Sequence, residues 1–259
     1  MTVSRTIVHF VGAGPGAADL LTVRATRLLA EADMVLFPGT YLDPEVLSHC
    51  SPEAELVDTQ DLDLDAMVAV MVAAVAADRS VVRLTSGDPS LYSALSEQTR
   101  RLDLAGVPWD VTPGVPAYAA ATALVGSELT VPLVAQSVVL TRTQARSTAM
   151  PSTESLSAFA ATRATLVLHL AIRRVRELMG EVEGEYGTDC PVVVVYRASQ
   201  PGEQVLRGTV ATIADLVEEA GLRQAAVILV GRALARDGGE SYLYDARRDR
   251  PSKITGRGA

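Results

Sequence analysis

The run Ser86-Gly87-Asp88-Pro89 combines residue types that let a backbone approach a small molecule. Glycine leaves room for close contact, and proline at a first helical position gives up no donor that the helix needs. The carboxylate of Asp88 can cap a helix or meet a cation. A β-branched run over residues 81–85 precedes this turn, and a helical pattern over residues 91–104 follows it. In a parallel sheet this place is the carboxyl end of a strand, where α/β proteins bind ligands.

A glycine loop over residues 12–17 formally satisfies the dinucleotide-binding fingerprint, with alanine in the place of its last glycine. In dinucleotide-binding proteins that last small residue already lies in the helix, and an acidic residue about 20 positions further on binds the ribose. Here the helical pattern begins only after Thr22, its expected N-cap, and the second strand ends in Phe37-Pro38-Gly39 without an acid. These departures disfavour an NAD- or FAD-dependent oxidoreductase, which stays an alternative.

Two further turns of small residues follow predicted strands, at Pro113-Gly114 and at Arg197-Ala198-Ser199. Several such turns predict a ligand that is held mainly by backbone groups. The glycine loop lacks the Gly-Lys-Ser/Thr of nucleoside triphosphate sites, and the chain has neither a nucleophile elbow nor a His-x-x-Glu-His motif. The sequence therefore offers no covalent or metal catalyst.

The composition is that of a globular protein and argues against several classes of function. The 259 residues are 48% hydrophobic and 21% charged, enough for one large or two modest domains. A net charge of −8 argues against a nucleic-acid partner. Two cysteines are too few for a disulfide framework, and no signal peptide is visible, so we expect a cytoplasmic protein. The longest apolar run, residues 66–77, is shorter than the roughly 20 residues that a membrane span needs.

Strand and helix patterns alternate through the first half of the chain, which predicts an α/β fold whose first sheet is mostly parallel, with helices on both faces. Its strands are expected at residues 6–11, 34–37, 55–58, 81–85 and 109–112. We place a first domain at residues 1–115, a second α/β domain at 116–246 and a flexible tail at 247–259. Strands of the second domain are expected at 137–140, 165–172, 192–196 and 225–230, and its helices at 119–124, 173–184 and 212–221.

Four motifs resemble, in order and spacing, those of the tetrapyrrole (corrin/porphyrin) methylases. They are residues 8–16, 86–92, 112–115 and 129–132, and the resemblance spans about residues 6–235. Within that family, residues 136–142 with Met150-Pro151 and Glu154 are most similar to the members that act on precorrin-4. The resemblance implies two α/β domains with the active site in the cleft between them, usually in a homodimer.

The same resemblance implies methyl transfer from S-adenosyl-L-methionine, with S-adenosyl-L-homocysteine as product, to C11 of precorrin-4, giving precorrin-5 in cobalamin biosynthesis. The residues that it assigns to the cofactor site are Pro15, Ser86, Gly87, Asp88, Leu91, Pro116, Ala117, Leu170, Ala198 and Ala225. The alternatives are a sibling methylase acting on another precorrin position or on uroporphyrinogen-III, and a tetrapyrrole carrier without catalysis.

A tetrapyrrole carries many carboxylates, which an acidic protein must meet with a local basic patch. Residues 142–176 contain six arginines and one acid, Glu154. Arg142 and Arg146, in a predicted loop over residues 141–151, are the expected substrate contacts. Tyr118 is the candidate for orienting the substrate or assisting proton removal. No general base is assigned, and His169 is expected to pack in the core.

Overall fold

The computed structural model describes residues 6–39, 42–143, 149–235, 238 and 241. The described strands form two five-stranded sheets. The first contains β1 (Val8–Gly12), β2 (Met34–Phe37), β3 (Glu55–Asp58), β4 (Val81–Thr85) and β5 (Trp109–Thr112). The second contains β6 (Val138–Arg142), β7 (Thr165–His169), β8 (Pro191–Tyr196), β9 (Gln204–Thr209) and β10 (Ala226–Val230). The predicted fold class is confirmed.

The first sheet is parallel throughout, in the order β3-β2-β4-β1-β5. Its central strands β1 and β4 are fully buried, as expected for a sheet covered on both faces. The helices that connect its strands are α1 (Val23–Glu31), α2 (Leu64–Ala76) and α3 (Leu95–Leu104). Four of the five predicted strands have the predicted bounds, and the first is displaced to Val8–Gly12.

Side-chain caps start two of these helices, and the first of them, Thr22, was predicted. Thr22 Oγ1 accepts a hydrogen bond from the amide of Ala25 at 3.1 Å, and Asp63 Oδ1 accepts one from Ala66 at 2.8 Å. The predicted start of α3 at residue 91 is wrong. Tyr92 and Ala94 have φ of 54° and 55°, a left-handed conformation that an α-helix cannot include. The helix therefore begins at Leu95, without a side-chain cap.

The second sheet is mixed, in the order β6-β7-β10-β8-β9. Only β6 and β7 are parallel, and the other pairs are antiparallel. Its helices are α4 (Ala117–Val125), α5 (Leu156–Ala160), α6 (Val175–Tyr186) and α7 (Ile213–Glu219). Of these elements, β9 and α5 were not predicted. The prediction that β7 continues to residue 172 is wrong, because Leu170 has a φ of 54° and ends the extended chain.

Two predictions concern the chain around and beyond β6. Arg142 was placed in a loop, but it is the last residue of β6. Arg146 and the tail at 247–259 lie outside the described residues. No helix in the described ranges is long and apolar enough to cross a membrane.

The turn after β8, in the second sheet, forms hydrogen bonds with the glycine loop after β1, in the first sheet. The side-chain amide of Gln200 donates to the carbonyl of Pro15 at 2.7 Å, and the amide of Ala17 donates to Ser199 Oγ at 3.2 Å. A Cβ on Gly16 would come within 2.1 Å of the Gln200 side chain. The glycine loop after β1 is therefore packed against the second sheet.

Candidate active site

The turns that follow β1, β4 and β5 pack backbone against backbone. Gly87 donates its amide to the carbonyl of Gly14 at 2.7 Å, and Gly14 donates to Gly87 at 3.2 Å. A Cβ on Gly114 would lie 2.2 Å from the carbonyl oxygen of Gly87, and one on Gly12 would lie 2.5 Å from Gly114. The glycines are needed for this mutual contact, which explains the fingerprint of residues 12–17 without a bound dinucleotide.

Asp88 links two of these turns. Its Oδ1 accepts the amide of Ser90 at 2.8 Å, and its Oδ2 accepts the amide of Gly114 at 2.9 Å. Burial acts to raise the pKa of Asp88, but the hydrogen bonds from Ser90 and Gly114 outweigh it and hold the pKa below its usual value. Of the two roles that the sequence leaves open for Asp88, capping of the following helix does not occur, since α3 begins seven positions later with Leu95.

A cavity of about 520 Å³ opens where these turns face the second sheet. This volume is in the range of small-molecule sites. Six of the ten predicted cofactor residues line it: Pro15, Ser86, Ala117, Leu170, Ala198 and Ala225. The other four lie in the same turns without lining the cavity: Gly87, Asp88, Leu91 and Pro116. The structure thus brings together residues that are up to 210 positions apart, Pro15 and Ala225.

The backbone around this cavity is strained. Leu170, Arg197 and Ala225 line it and have φ of 54°, 49° and 51°. A left-handed conformation costs a residue other than glycine about 1–2 kcal/mol. The side chain of Leu170 is also 69% exposed, which is unfavourable for leucine in water. Such strain is typical of ligand sites, where a ligand contact offsets it.

The side chains of the cavity suit a ligand with an apolar part and a carboxylate. Its described polar lining includes Arg173, Arg197 and Arg223, and none of its described lining residues is acidic. Leu170 and Val227 offer apolar surface. S-adenosylmethionine combines an adenine ring with an amino-acid carboxylate and fits this lining, with its sulfonium left to backbone carbonyl oxygens.

A second cavity, of about 440 Å³, lies beside β6. Tyr92, Arg142 and Glu154 are its polar lining residues together with Thr141, and the remainder of its lining is largely apolar. Of the two predicted substrate contacts, Arg142 lies among the described residues. It lines this second cavity and not the cofactor cavity. Glu154 lies in the same cavity, so the expected substrate region holds both signs of charge.

The basic patch expected from residues 142–176 is smaller than predicted. Three of its six arginines form ion pairs with acids that come later in the chain, which a count over this segment does not include. The pairs are Arg163 with Glu185, Arg174 with Glu177, and Arg176 with Glu218. Among the described arginines of residues 142–176, Arg142 lines the β6 cavity.

His169 was expected to pack in the core, and it is partly buried against aromatic rings but also borders a cavity. It lines the cofactor cavity, and the ring of Tyr92, which lines the β6 cavity, lies 5.6 Å from its ring. Tyr118 contacts the imidazole edge-on at 6.4 Å. In the pairing of β6 with β7, Arg142 is directly beside His169. The sequence signal was the position of His169, a polar residue next to the predicted cofactor contact Leu170.

The imidazole of His169 is held neutral by its surroundings. Burial lowers its pKa, because a charged ring would lose its hydration. Its Nε2 atom is buried and has no hydrogen-bond partner among the described residues. A buried polar atom without a partner calls for an explanation, such as a ligand that supplies the missing bond.

Residues 7–214 match the family description Tetrapyrrole (Corrin/Porphyrin) Methylases, and the chain belongs to this family. Over 244 residues it is 52% identical to a precorrin-4 C(11)-methyltransferase of Rhodococcus erythropolis, covering 94% of this chain and 98% of the relative. It is 37% identical to a cobalt-precorrin-4 C(11)-methyltransferase of Methanocaldococcus jannaschii over 240 residues, 92% of each chain.

Two solved structures share the fold. A cobalt precorrin-4 methyltransferase superposes with a TM-score of 0.86 at 36% identity, covering 89% of this chain and 97% of the other. A uroporphyrin-III C-methyltransferase of Thermus thermophilus, solved with S-adenosylhomocysteine, superposes with a TM-score of 0.74 at 29% identity, covering 88% and 93%. The family predicted from four short motifs is thereby confirmed.

Proposed function

We propose that this protein transfers a methyl group from S-adenosylmethionine to C11 of precorrin-4, giving precorrin-5 in cobalamin biosynthesis. The observation that carries the proposal is the pair of cavities, one framed by backbone turns and one lined by Arg142, whose lining residues His169 and Tyr92 are in ring contact. Identity to a precorrin-4 enzyme at 52% supports this substrate over siblings that act on other tetrapyrroles.

The chemistry supplied by the cofactor is a methyl group on a positively charged sulfur. The task left to the protein is to hold the ring carbon in line with that methyl group. The cavity-lining residues Pro15, Ala117 and Leu170 would hold the cofactor, and Asp88 would position the turns through Ser90 and Gly114. Arg142 would pair with a substrate carboxylate, which is a charge-assisted hydrogen bond.

Metal-free precorrin-4 is the proposed substrate rather than its cobalt complex. The supporting observation is the identity of 52% to the metal-free relative against 37% to the cobalt one. The two substrates can be compared directly by their kcat/KM with the same enzyme preparation.

The cofactor is tested by isothermal titration with S-adenosylhomocysteine, with NAD and NADP as controls. We expect binding of S-adenosylhomocysteine alone, since the glycine loop is filled by its own backbone contacts. Binding of NAD or NADP without a response to S-adenosylhomocysteine would restore the oxidoreductase alternative.

The reaction is tested by incubating the protein with S-adenosylmethionine and precorrin-4, cobalt-precorrin-4 or uroporphyrinogen-III in parallel. Mass spectrometry should show one added methyl group on precorrin-4, and carbon NMR with labelled methyl should place it at C11. Preferred methylation of uroporphyrinogen-III would favour a sibling activity. Binding of tetrapyrroles without any product would favour a carrier.

We further propose that the protein is a cytoplasmic homodimer of chains with a domain boundary near residue 115. The support for a dimer is the family, whose members resemble this chain and are usually homodimers. Light scattering after size exclusion should give twice the chain mass of 27.3 kDa. A mass of one chain would contradict the dimer, and cell fractionation tests the location.

A further inference from the structure

We propose that His169 is a catalytic residue, whose imidazole takes up the proton that the tetrapyrrole loses during methyl transfer. This inference rests on the proposed methyl transfer and goes beyond it by naming the proton acceptor. His169 ends β7 and lines the cofactor cavity. Its ring centroid lies 5.6 Å from that of Tyr92, which lines the cavity that also contains Arg142.

The position of His169 is determined by three independent features. Strand pairing places it beside Arg142 of β6. Tyr118 of α4 contacts its ring edge-on at 6.4 Å. The left-handed φ of the next residue, Leu170, ends the strand immediately after it. The imidazole is therefore held by an aromatic residue on each of two sides, which gives it the fixed orientation that proton transfer requires.

Methyl transfer to a ring carbon of the tetrapyrrole releases a proton. The bond between the methyl carbon and sulfur breaks, and its electrons leave with sulfur as a neutral thioether. A new carbon–carbon bond forms with an electron pair from the conjugated tetrapyrrole, which leaves positive charge on a ring nitrogen. The N–H bond of that nitrogen breaks, its electrons neutralise the ring, and the proton passes to the imidazole. The imidazolium later returns the proton to water.

The surroundings of His169 suit this role. The charged and titratable groups that face it are Tyr92 from the turn after β4, Tyr118 from α4, Arg142 from β6, and Arg173 and Arg174 from the segment after β7. None is a carboxylate that would keep the ring protonated, and burial favours its neutral form. The Nε2 atom is buried and has no hydrogen-bond partner among the described residues, so no protein hydrogen bond occupies it.

The test compares His169→Phe with His169→Asn and the wild type. Phenylalanine keeps a ring between Tyr92 and Tyr118 but cannot accept a proton, and asparagine keeps a polar group of smaller size. We expect kcat to fall by about 10²- to 10⁴-fold in both variants. The Kd for S-adenosylhomocysteine, measured by titration calorimetry without substrate, should rise by far less than kcat falls, since His169 lines the cofactor cavity but its proton transfer contributes to kcat alone.

Three further measurements separate a catalytic role from packing. In the wild type, kcat should decline on the acidic side as the imidazole becomes protonated, and this decline should disappear in His169→Phe. Imidazole in the buffer should partly restore turnover to His169→Ala. In the free protein, the histidine NMR signal that is lost in His169→Phe should titrate below the ordinary pKa of about 6.5. His49→Gln is the matched control, because His49 ends a 3₁₀ helix far along the chain from these motifs.

Two results would contradict a catalytic role of His169. Normal kcat in His169→Phe, or a loss of S-adenosylhomocysteine binding equal to the loss of turnover, would overturn the role of His169 and leave the proposed reaction intact. Binding of S-adenosylhomocysteine without turnover of any tetrapyrrole by the wild type would overturn the proposed reaction, and this role with it.

Discussion

The two cavities are built by different means. The cofactor cavity is framed by turns whose glycines touch backbone to backbone, and three of its lining residues have a left-handed φ. Arginines also line this cavity, without an acid among its described lining residues. The cavity beside β6 is lined by the side chains of a regular strand, with Arg142, Tyr92 and Glu154 as its ionisable groups. Backbone shape dominates the first cavity, and side chains of both charge signs line the second.

This difference fits the two ligands. A cofactor that is the same in every turnover can be matched by a rigid backbone surface, whose donors and acceptors need no reorganisation. A tetrapyrrole with many carboxylates requires charge complementarity, which side chains provide and which a single substitution can change. Additions of a Cβ should therefore harm the first cavity most, and changes of charge the second.

The largest effect is expected from Gly114→Ala. The added Cβ would lie 2.2 Å from the carbonyl oxygen of Gly87 and 2.8 Å from Gly12 Cα. Both contacts are with backbone, which cannot move aside as a side chain would. We expect a loss of about 3 kcal/mol in the free energy of unfolding and no measurable binding of S-adenosylhomocysteine. Urea denaturation and calorimetry measure these two quantities.

Gly180→Ala is the matched control for that substitution. Gly180 lies in α6, and a Cβ there would meet nothing within 4 Å. Alanine should stabilise the helix by roughly 0.5–1 kcal/mol without a change in binding. Equal effects of the two substitutions would show that the turns tolerate a Cβ and would contradict a backbone-framed cavity.

Arg142→Gln tests the charged cavity. Removal of one partner of a charge-assisted contact with a carboxylate should raise KM for the tetrapyrrole by about 10- to 100-fold. Binding of S-adenosylhomocysteine should be unchanged, because Arg142 does not line the cofactor cavity. Arg163→Gln is the control, since Arg163 is paired with Glu185 on the surface. A KM that is unaffected in Arg142→Gln would remove Arg142 from the substrate site.

Asp88→Ala should have a smaller effect than the preceding substitutions. Of the two ligands, only the cofactor should bind more weakly. The amides of Ser90 and Gly114 would lose their acceptor, at a cost of about 1–3 kcal/mol in stability. We expect the Kd for S-adenosylhomocysteine to rise about tenfold, as the turns lose their link. A Kd equal to that of the wild type would show that the turns are held without Asp88.

The same variant predicts a pH dependence. The pKa of Asp88 is lowered in the folded protein, so its stabilising contribution is present above the ordinary value of about 3.9 and is lost as pH falls through the folded value. The difference in unfolding free energy between wild type and Asp88→Ala should therefore be largest near neutral pH and shrink in acid. A constant difference would contradict the hydrogen bonds of the carboxylate.

The two sheets also differ in how far sequence patterns predicted them. In the first, strands alternate regularly with helical segments, and the bounds of β2, β3, β4 and β5 were predicted to the residue. In the second, β9 (Gln204–Thr209) follows β8 without a helix between them, so it departs from that alternation. The five residues of α5 are too few for a clear helical period.

The candidate site divides in the same way. The turns were recognised because each glycine and proline carries a local meaning, and the resemblance added Leu170 and Ala225. The connection between the cavities could not be predicted, since it depends on the register of β6 with β7 and on the ring contacts of His169. These are long-range geometries that no local spacing encodes. The ion pairs of Arg163 and Arg176 were missed for the same reason.

The smallest expected effect comes from relieving strain, with Leu170→Gly compared with Leu133→Gly. Both leucines have a left-handed φ, 54° and 65°, and both are largely exposed, at 69% and 94%. Glycine removes a conformational cost of about 1–2 kcal/mol but loses about 0.5–1 kcal/mol through its greater freedom in the unfolded chain. Each substitution should therefore raise the free energy of unfolding by up to about 1 kcal/mol.

Only Leu170 lines the cofactor cavity, so binding should separate the two leucines. Leu170→Gly should weaken the binding of S-adenosylhomocysteine several-fold. Burial of the leucine side chain by the ligand contributes about 25 cal/mol per Å² of apolar surface to binding. Leu133→Gly should leave the Kd unchanged. If Leu170→Gly gained stability and kept its affinity, the strain at residue 170 would have no function in binding. The contrast between a backbone-framed and a charge-lined cavity would then rest on the glycine turns alone.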